Sequence, residues 1–227
     1  MAPDAPALDF WLNGDPCNQD SRALMKLFDS PYAPNPRRVR VFLAEKQISV
    51  PVETVELAKG QHRDAGYTAI NPLQRTPALQ LGDGTIITES IAICRYFEGL
   101  QPDPPLFGVG ALDCALVEMW QRRMELSFLM PVAMAYRHSH PAAATLEVPQ
   151  IAEMALVSRP RALDFLSFLD SELARRAFIA GERFSVADIT GLVAIDFMRP
   201  ARIELPQALT HVRRWHAQVS ARPSAKA

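Results

Sequence analysis

Two short runs carry residues able to hold a small peptide: Thr76-Pro77, and Thr88-Glu89-Ser90 one hairpin further on. A chain kinked at Pro77 leaves main-chain N–H and C=O groups free to pair with an extended peptide, as when a strand is added to a sheet edge. The helix beginning near Glu89 points the unpaired N–H groups of its first turn at a carboxylate. Together the two runs describe a site for a short peptide with a carboxylate end, if the elements around them bring them together.

The order of elements from Met25 to Glu98 supplies that framework. Met25-Lys26-Leu27-Phe28-Asp29 alternates as a short strand. After the Ser30-Pro31-Tyr32-Ala33-Pro34 loop, Asn35-Pro36 reads as an N-cap followed by proline at the first helical position. The helix this predicts runs to about Gln47, with Val39, Phe42 and Leu43 on one face. Val50 to Val55 is β-branched and extended, so the three elements form a βαβ unit with a right-handed crossover. Lys59 to Ile70 is polar and predicts a short exposed helix or coil.

Ala78 to Leu81 and Thr85 to Ile87 then flank Gly82-Asp83-Gly84 as a hairpin, and a helix follows from Thr88 to about Gly99. The order β-α-β-α-β-β-α predicts an α/β domain of the thioredoxin-like type. Pro77 stands just before its third strand, which leads us to expect a cis bond there.

Residues 1–24, with Pro3, Pro6 and Pro16 and no periodic pattern, read as an extension outside the fold. Residues 25–100 form the first domain, Gln101-Pro102-Asp103-Pro104-Pro105 opens a stiff linker over 101–110, and 111–227 lacks convincing strands and predicts an all-helical domain. Ala111 to about Tyr136 and Gln150 to Arg176 are long candidate helices. Phe184-Ser185-Val186-Ala187-Asp188-Ile189 has the pattern of a capping box, with Phe184 and Ile189 as a hydrophobic staple, a folding signal rather than a chemical one.

The bulk properties exclude several classes. Formal net charge is −1 from 24 basic and 25 acidic residues, so neither nucleic acid nor an anionic membrane is the expected partner. Hydrophobic residues make up 48% of the chain, enough for a real core, and no apolar run has the length of a membrane span. Cys17, Cys94 and Cys114 are odd in number and far apart, which fits neither a disulfide framework nor a zinc pattern and points to a reducing cytoplasm. His138 and His140 lie two apart without a placed carboxylate or thiol, and read as a polar helix terminus rather than a metal site.

Four motifs in order, SPYAPNPRRVRVFLAEK, NPLQRTPALQL, ITESIAICRYFE and FSVADIT, resemble the cytosolic glutathione transferases over Met25 to Pro223. The first looks like the bacterial and fungal subgroup whose opening loop reads APNPRRVR. The resemblance implies glutathione as co-substrate, a glutathione-holding thioredoxin-like domain, a helical domain lining a pocket for a small apolar electrophile, and a homodimer. Glu89 and Ser90 match the residues that bind the γ-glutamyl end, and Thr76 the residue whose backbone pairs with the cysteinyl unit ahead of Pro77. Lys59 and His62, with Gln61, stand where the family meets the glycyl carboxylate.

Such transferases favour the glutathione thiolate over the thiol, usually through a Tyr, Ser or Cys donor in the first loop. Here that slot falls on Ala33 or Pro34, and neither side chain can donate. Asn35 is the leading replacement, as thiolate donor or as plain N-cap, roles that are compatible because a capping Asn keeps its NH₂ free. Ser30 and Tyr32 are further candidates in the same loop, and a water positioned by Tyr136 or His138 is another. Met119, Met124, Phe128, Met130 and Met134 read as pocket lining or as core. Reduction of a mixed disulfide or peroxide by the bound thiolate, and a non-catalytic binding role, are the competing functions.

Overall fold

The computed structural model describes residues 24–227, so all of the expected extension but Leu24, and Cys17 with it, lie outside the described residues. Four strands, β1 (Lys26–Asp29), β2 (Val52–Thr54), β3 (Ala78–Gln80) and β4 (Ile86–Thr88), form a sheet in the order β2-β1-β3-β4. β1 runs parallel to β2 and antiparallel to β3, which pairs antiparallel with β4. The pleat divides β1 between two clusters. Leu27 packs with Val39, Phe42 and Ile93 from helices α1 (Pro34–Glu45) and α3 (Ser90–Leu100). Phe28 joins Val55 and Ala78 and meets the ring of Tyr67, from helix α2 (Ala65–Ile70), edge to face at 5.9 Å.

Two helix starts differ from their expected places. α1 begins at Pro34 with Ala33 as N-cap and no side-chain cap, instead of at Pro36 with Asn35 capping. Pro34 already fits the first helical position, and Pro36 lacks an N–H where none would find a helical partner. Asn35 thus sits inside the first turn, and its Oδ1 accepts from Arg38 Nη1 at 3.2 Å. α3 starts at Ser90 rather than Thr88, because Thr88 is still paired with Ala78 in the ladder and Glu89 takes φ 67° before the helix.

The 101–110 segment is held by a buried lysine. Lys46 Nζ donates to the carbonyls of Gln101 (2.8 Å), Pro102 (3.0 Å) and Pro104 (2.5 Å) and lies 2.6 Å from Glu98 Oε2. A fully buried ammonium is tolerated only with its donors used, and here all are.

The second half is helical. α4 (Gly110–Arg123) passes through a π-helical segment, Met124–Leu129, into α5 (Met130–Arg137). The uninterrupted helix expected over 111–136 is therefore broken in its hydrogen-bond pattern. Pro131 lacks an N–H and its ring crowds the carbonyl four residues back, and a wider turn just before it relieves both problems. α6 (Ala152–Leu173) falls within the expected 150–176 range, and α7 (Val186–Met198) and α8 (Thr210–Ser220) complete the bundle. α7 is its buried centre. There a Cβ on Gly191 would approach Ile179 and Trp215 to 2.7 Å, so only glycine fits without a shift.

The capping box of Ser185 and Asp188 is present at the start of α7, and Phe184 and Ile189 share the core. Asp188 does more than cap. Fully buried, it accepts from Ile179 N–H and Ser185 N–H (both 2.9 Å), from Ser185 Oγ (3.1 Å) and from Trp215 Nε1 (2.8 Å), tying α7 to α8 and to the chain before it. Burial pushes its carboxyl up to about 6, against the pull of these donors.

A folded pKa above the ordinary 3.8 means that the folded state binds more protons between the two values, so this group's contribution to stability falls as pH rises from about 4 to about 6. Urea unfolding across that range should show the slope as the difference between wild type and Asp188→Asn. The variant should be less stable by about 2–4 kcal/mol at neutral pH, since an amide accepts with one oxygen where the carboxylate used two.

Candidate functional site

A cavity of about 700 Å³ opens between the sheet and the helical domain. Its floor is built by the loop after β1. Ala33 N–H closes a turn on Ser30 C=O at 3.0 Å, and Arg40 fixes the loop from behind through Asp29 Oδ1 (2.7 Å), Asp29 Oδ2 (2.9 Å) and Pro31 C=O (2.9 Å). Ser30 is buried at the cavity wall, Tyr32 stands at the rim 97% exposed, and Asn35 reaches the cavity from the first turn of α1.

That first turn has one main-chain donor to offer. Pro34 and Pro36 have no N–H, so the N–H of Asn35 is the free donor at the positive end of the helix. Because Asn35 Oδ1 faces Arg38, the Nδ2 group is left to point elsewhere. Arg38, 1% exposed, also donates to Glu125 Oε1 through Nη1 (3.0 Å) and Nη2 (2.9 Å). Gln121 completes this inter-domain network. Oriented by its neighbours, it turns its oxygen to Arg38 Nη2 (2.8 Å) and its nitrogen to Thr190 Oγ1 (2.7 Å).

The Thr76-Pro77 peptide is cis. The carbonyl of Arg75 just before it accepts from Tyr67 Oη (2.5 Å) and Asn71 Nδ2 (2.7 Å), which fixes the entry to β3. Burial drives the Tyr67 hydroxyl up to about 12, so it stays a donor throughout the working pH range. Among the described residues no main-chain group pairs with Thr76, which lines the cavity. Beside it, Glu89 C=O accepts the first helical bond of α3 from Ile93 N–H at 3.0 Å. The side chains of Glu89 and Ser90 cap nothing and line the cavity with the open first turn.

The Lys59, Gln61 and His62 group divides. Lys59 pairs with Glu56 at 2.6 Å, and Gln61 Oε1 accepts from Glu56 N–H at 2.8 Å; both lie in the turn outside the cavity wall. His62 is 3% exposed and lines the cavity, and its Nδ1 has no partner. Burial, then Arg63 and Arg75, lower its pKa, so it is neutral at pH 7. Sequence reasoning missed Arg75, which also lines the cavity. The available signal was its place beside Thr76 in the motif.

The helical domain supplies Leu129, Tyr136, Arg137, Leu146 and Phe197. The Tyr136 ring stacks on His140 at 4.7 Å and leans on Phe197 at 4.9 Å. None of the five candidate residues from Met119 to Met134 lines the cavity; Met124 and Phe128 are core. His138 Nδ1 accepts from Ile151 N–H (3.1 Å) and His140 Nδ1 from Ala142 N–H (3.2 Å), so both serve the turn after α5. No metal-holding cluster occurs among the described residues.

An unpaired backbone edge, two helix N-termini and a largely apolar wall around one cavity agree with what the chain matches. Residues 30–100 fit the family model for the glutathione S-transferase N-terminal domain, and residues 113–223 that for the C-terminal domain. The chain belongs to the glutathione S-transferase family, transferases with glutathione as co-substrate. It is similar to glutathione S-transferase 2 of Saccharomyces cerevisiae, 35% identical over 205 residues that cover 89% of this chain and 88% of that protein. The crystal structure of Gtt2 from the same yeast superposes with a TM-score of 0.85 at 34% identity, covering 88% of this chain and 98% of that one. A class Gtt2 enzyme of Vibrio parahaemolyticus gives 0.77 at 34% identity over 88% of this chain and 94% of its own.

The Arg38 network predicts a stability effect separable from ligand binding. Arg38→Met should cost about 2–4 kcal/mol in urea unfolding, because it strands the buried acceptor of Gln121 and leaves the part-buried carboxylate of Glu125 without its partner. Adding Glu125→Met should recover part of that loss, and a double-mutant cycle measures how much.

Proposed function

We propose that the cavity binds glutathione extended along Thr76-Pro77 and lowers the pKa of its thiol for attack on a small apolar electrophile. The observation that carries this reading is the convergence on one cavity of the unpaired Thr76 backbone, the open first turn of α3 with Glu89 and Ser90, and the first turn of α1 with Asn35. In this reading Glu89 takes the γ-glutamyl ammonium, and Ser90 with the α3 N–H groups takes its carboxylate. His62 Nε2 and Arg75 meet the glycyl carboxylate, with Lys59 and Gln61 shaping the turn beside them. The sulfur rests over the first turn of α1, where the N–H and Nδ2 of Asn35 both donate.

A shift of two units below the ordinary thiol value near 8.5 corresponds to about 2.7 kcal/mol. A charge-assisted hydrogen bond and a helix N-terminus together supply that amount, so a hydroxyl in the Ala33 slot is not required. Ser30 and Tyr32 wall the thiol's side of the cavity. The electrophile lies against Tyr136, Phe197 and Leu146.

The subgroup sharing the APNPRRVR loop is the reading we favour, supported by the similarity to the yeast and Vibrio proteins. A homodimer is supported by the exposed Leu126 and Met130, a turn apart on one helical run. Free Cys94 and Cys114 fit a reducing, cytoplasmic setting, and among the described residues no helix is long and apolar enough to cross a membrane. Ala33 in the donor slot keeps one second reading in view, reduction by the bound thiolate. Neither Cys94 nor Cys114 lines the cavity, so glutathione itself would carry that chemistry.

Calorimetry with glutathione, combined with titration of the bound thiol by its thiolate absorbance, tests the reading. The thiol pKa should fall well below 8.5 and rise by about one unit in Asn35→Ala with little change in affinity. Glu89→Ala and Ser90→Ala should each weaken binding by about 1.5–3 kcal/mol. Unchanged affinity in both would remove the γ-glutamyl assignment, and a bound thiol titrating at its free value would leave a carrier rather than an activating enzyme.

A further inference from the structure

On the side of the helical domain the cavity wall is apolar except for the Tyr136 hydroxyl and one charged residue. Among the described residues Arg137 is the single charged side chain this domain brings to it, beside Leu129, Tyr136, Leu146 and Phe197. Arg137 is also fixed in place. Its Nη1 donates to Glu147 Oε2 at 3.1 Å, and its carbonyl accepts from Gln150 Nε2 at 2.7 Å. Glu147 does not line the cavity, so it holds the guanidinium from behind, while Nε and Nη2 make no hydrogen bond among the described residues. An arginine anchored through one nitrogen presents its other edge as a ready two-pronged donor, the geometry that matches a carboxylate.

The like charge across the cleft sharpens the point. Arg75, on the opposite wall, has no ion pair within 4 Å among the described residues, and burial, then the field of Arg137, lower its pKa against the pull of Glu147. Glu147 is the one carboxylate beside the two guanidinium groups, so they leave an excess of positive charge at the cavity that ligand anions would answer. In the reading above, the glycyl carboxylate of glutathione answers Arg75 and His62, its ammonium answers Glu89, and its second carboxylate lies at α3. The free edge of Arg137 is then left for the other substrate.

We propose that the electrophile taken by this cavity carries a carboxylate, gripped by the Nε and Nη2 edge of Arg137, with an apolar or aromatic body against Tyr136 and Phe197. This rests on the cavity being the glutathione site. For an aryl chloride such as 4-chloro-3-nitrobenzoate, the thiolate sulfur forms the new S–C bond and chloride leaves with the electron pair of the C–Cl bond. The thiol proton has by then passed to solvent.

The test compares calorimetric affinities of the full chain for glutathione, for S-(4-carboxy-2-nitrophenyl)glutathione and for its carboxamide counterpart. The carboxylate conjugate should bind about tenfold more tightly than the amide. Arg137→Gln should erase that preference while leaving the affinity for glutathione unchanged, which also shows that the variant is folded. Equal affinity of wild type for the two conjugates overturns the proposal without any variant. A loss of affinity for glutathione itself in Arg137→Gln overturns it too, by assigning Arg137 to the tripeptide. In both cases the glutathione site stands, whereas failure of wild type to bind glutathione removes the reading beneath.

Discussion

The buried guanidinium of Arg38 is the interaction on which the site depends. It sits one turn into α1, holds Asn35 of the same helix, and reaches across the domain interface to Glu125 and Gln121. With 1% exposure, its charge depends on the fixed acceptors that meet Nη1 and Nη2, Nε being buried without one, so the network demands that both domains be in register. The first turn of α1, with its proline-flanked donor, is thereby placed against the helical domain to within the tolerance of a hydrogen bond.

The rest of α1 is anchored in the same way. Arg37 bonds Asp196 of α7 at 2.7 Å and the carbonyl of Ala225 at 2.9 Å. At the other end Glu45 accepts from Arg222 Nε and Nη2, each at 2.7 Å, and also from the hydroxyl of Ser224. The chain's last turn thus straps back onto the helix that follows the first strand. Lys46 adds the linker carbonyls one residue later. A helix clamped along its length can present its N-terminal dipole to a sulfur without reorganising, which is how a fixed dipole contributes most to stabilising charge.

Against this rigid edge, the peptide edge is fixed by neutral hydrogen bonds. Tyr67 and Asn71 grip the carbonyl of Arg75, and Thr76 is left with its main-chain groups open. The same economy recurs at α3, where Glu89 gives its carbonyl to the helix and keeps its carboxylate for the cavity. In each case one part of the residue, backbone or side chain, is spent on structure and the other is left at the cavity.

The local rules in the chain determined the order of elements along the first domain, the hairpin at Gly82–Gly84, the cis position before Pro77, the capping box at Ser185 and the convergence of Thr76, Glu89 and Ser90 on one cavity. These are short-range signals, carried by alternation, turn residues and caps, and nearby residues suffice to read them. Tertiary structure decided the rest. Where the Asn35 side chain turns depended on Arg38, whose partner Glu125 lies 87 positions away. Whether Met124 faces the pocket or the core depended on a π-helical turn answering to Pro131 and on the packing of α7. That His62 and Arg75 share a cavity with Arg137 while Lys59 and Gln61 turn away follows from how the two domains close on each other. No local pattern encodes it, because the energy that fixes those side chains comes from contacts between residues far apart in the chain.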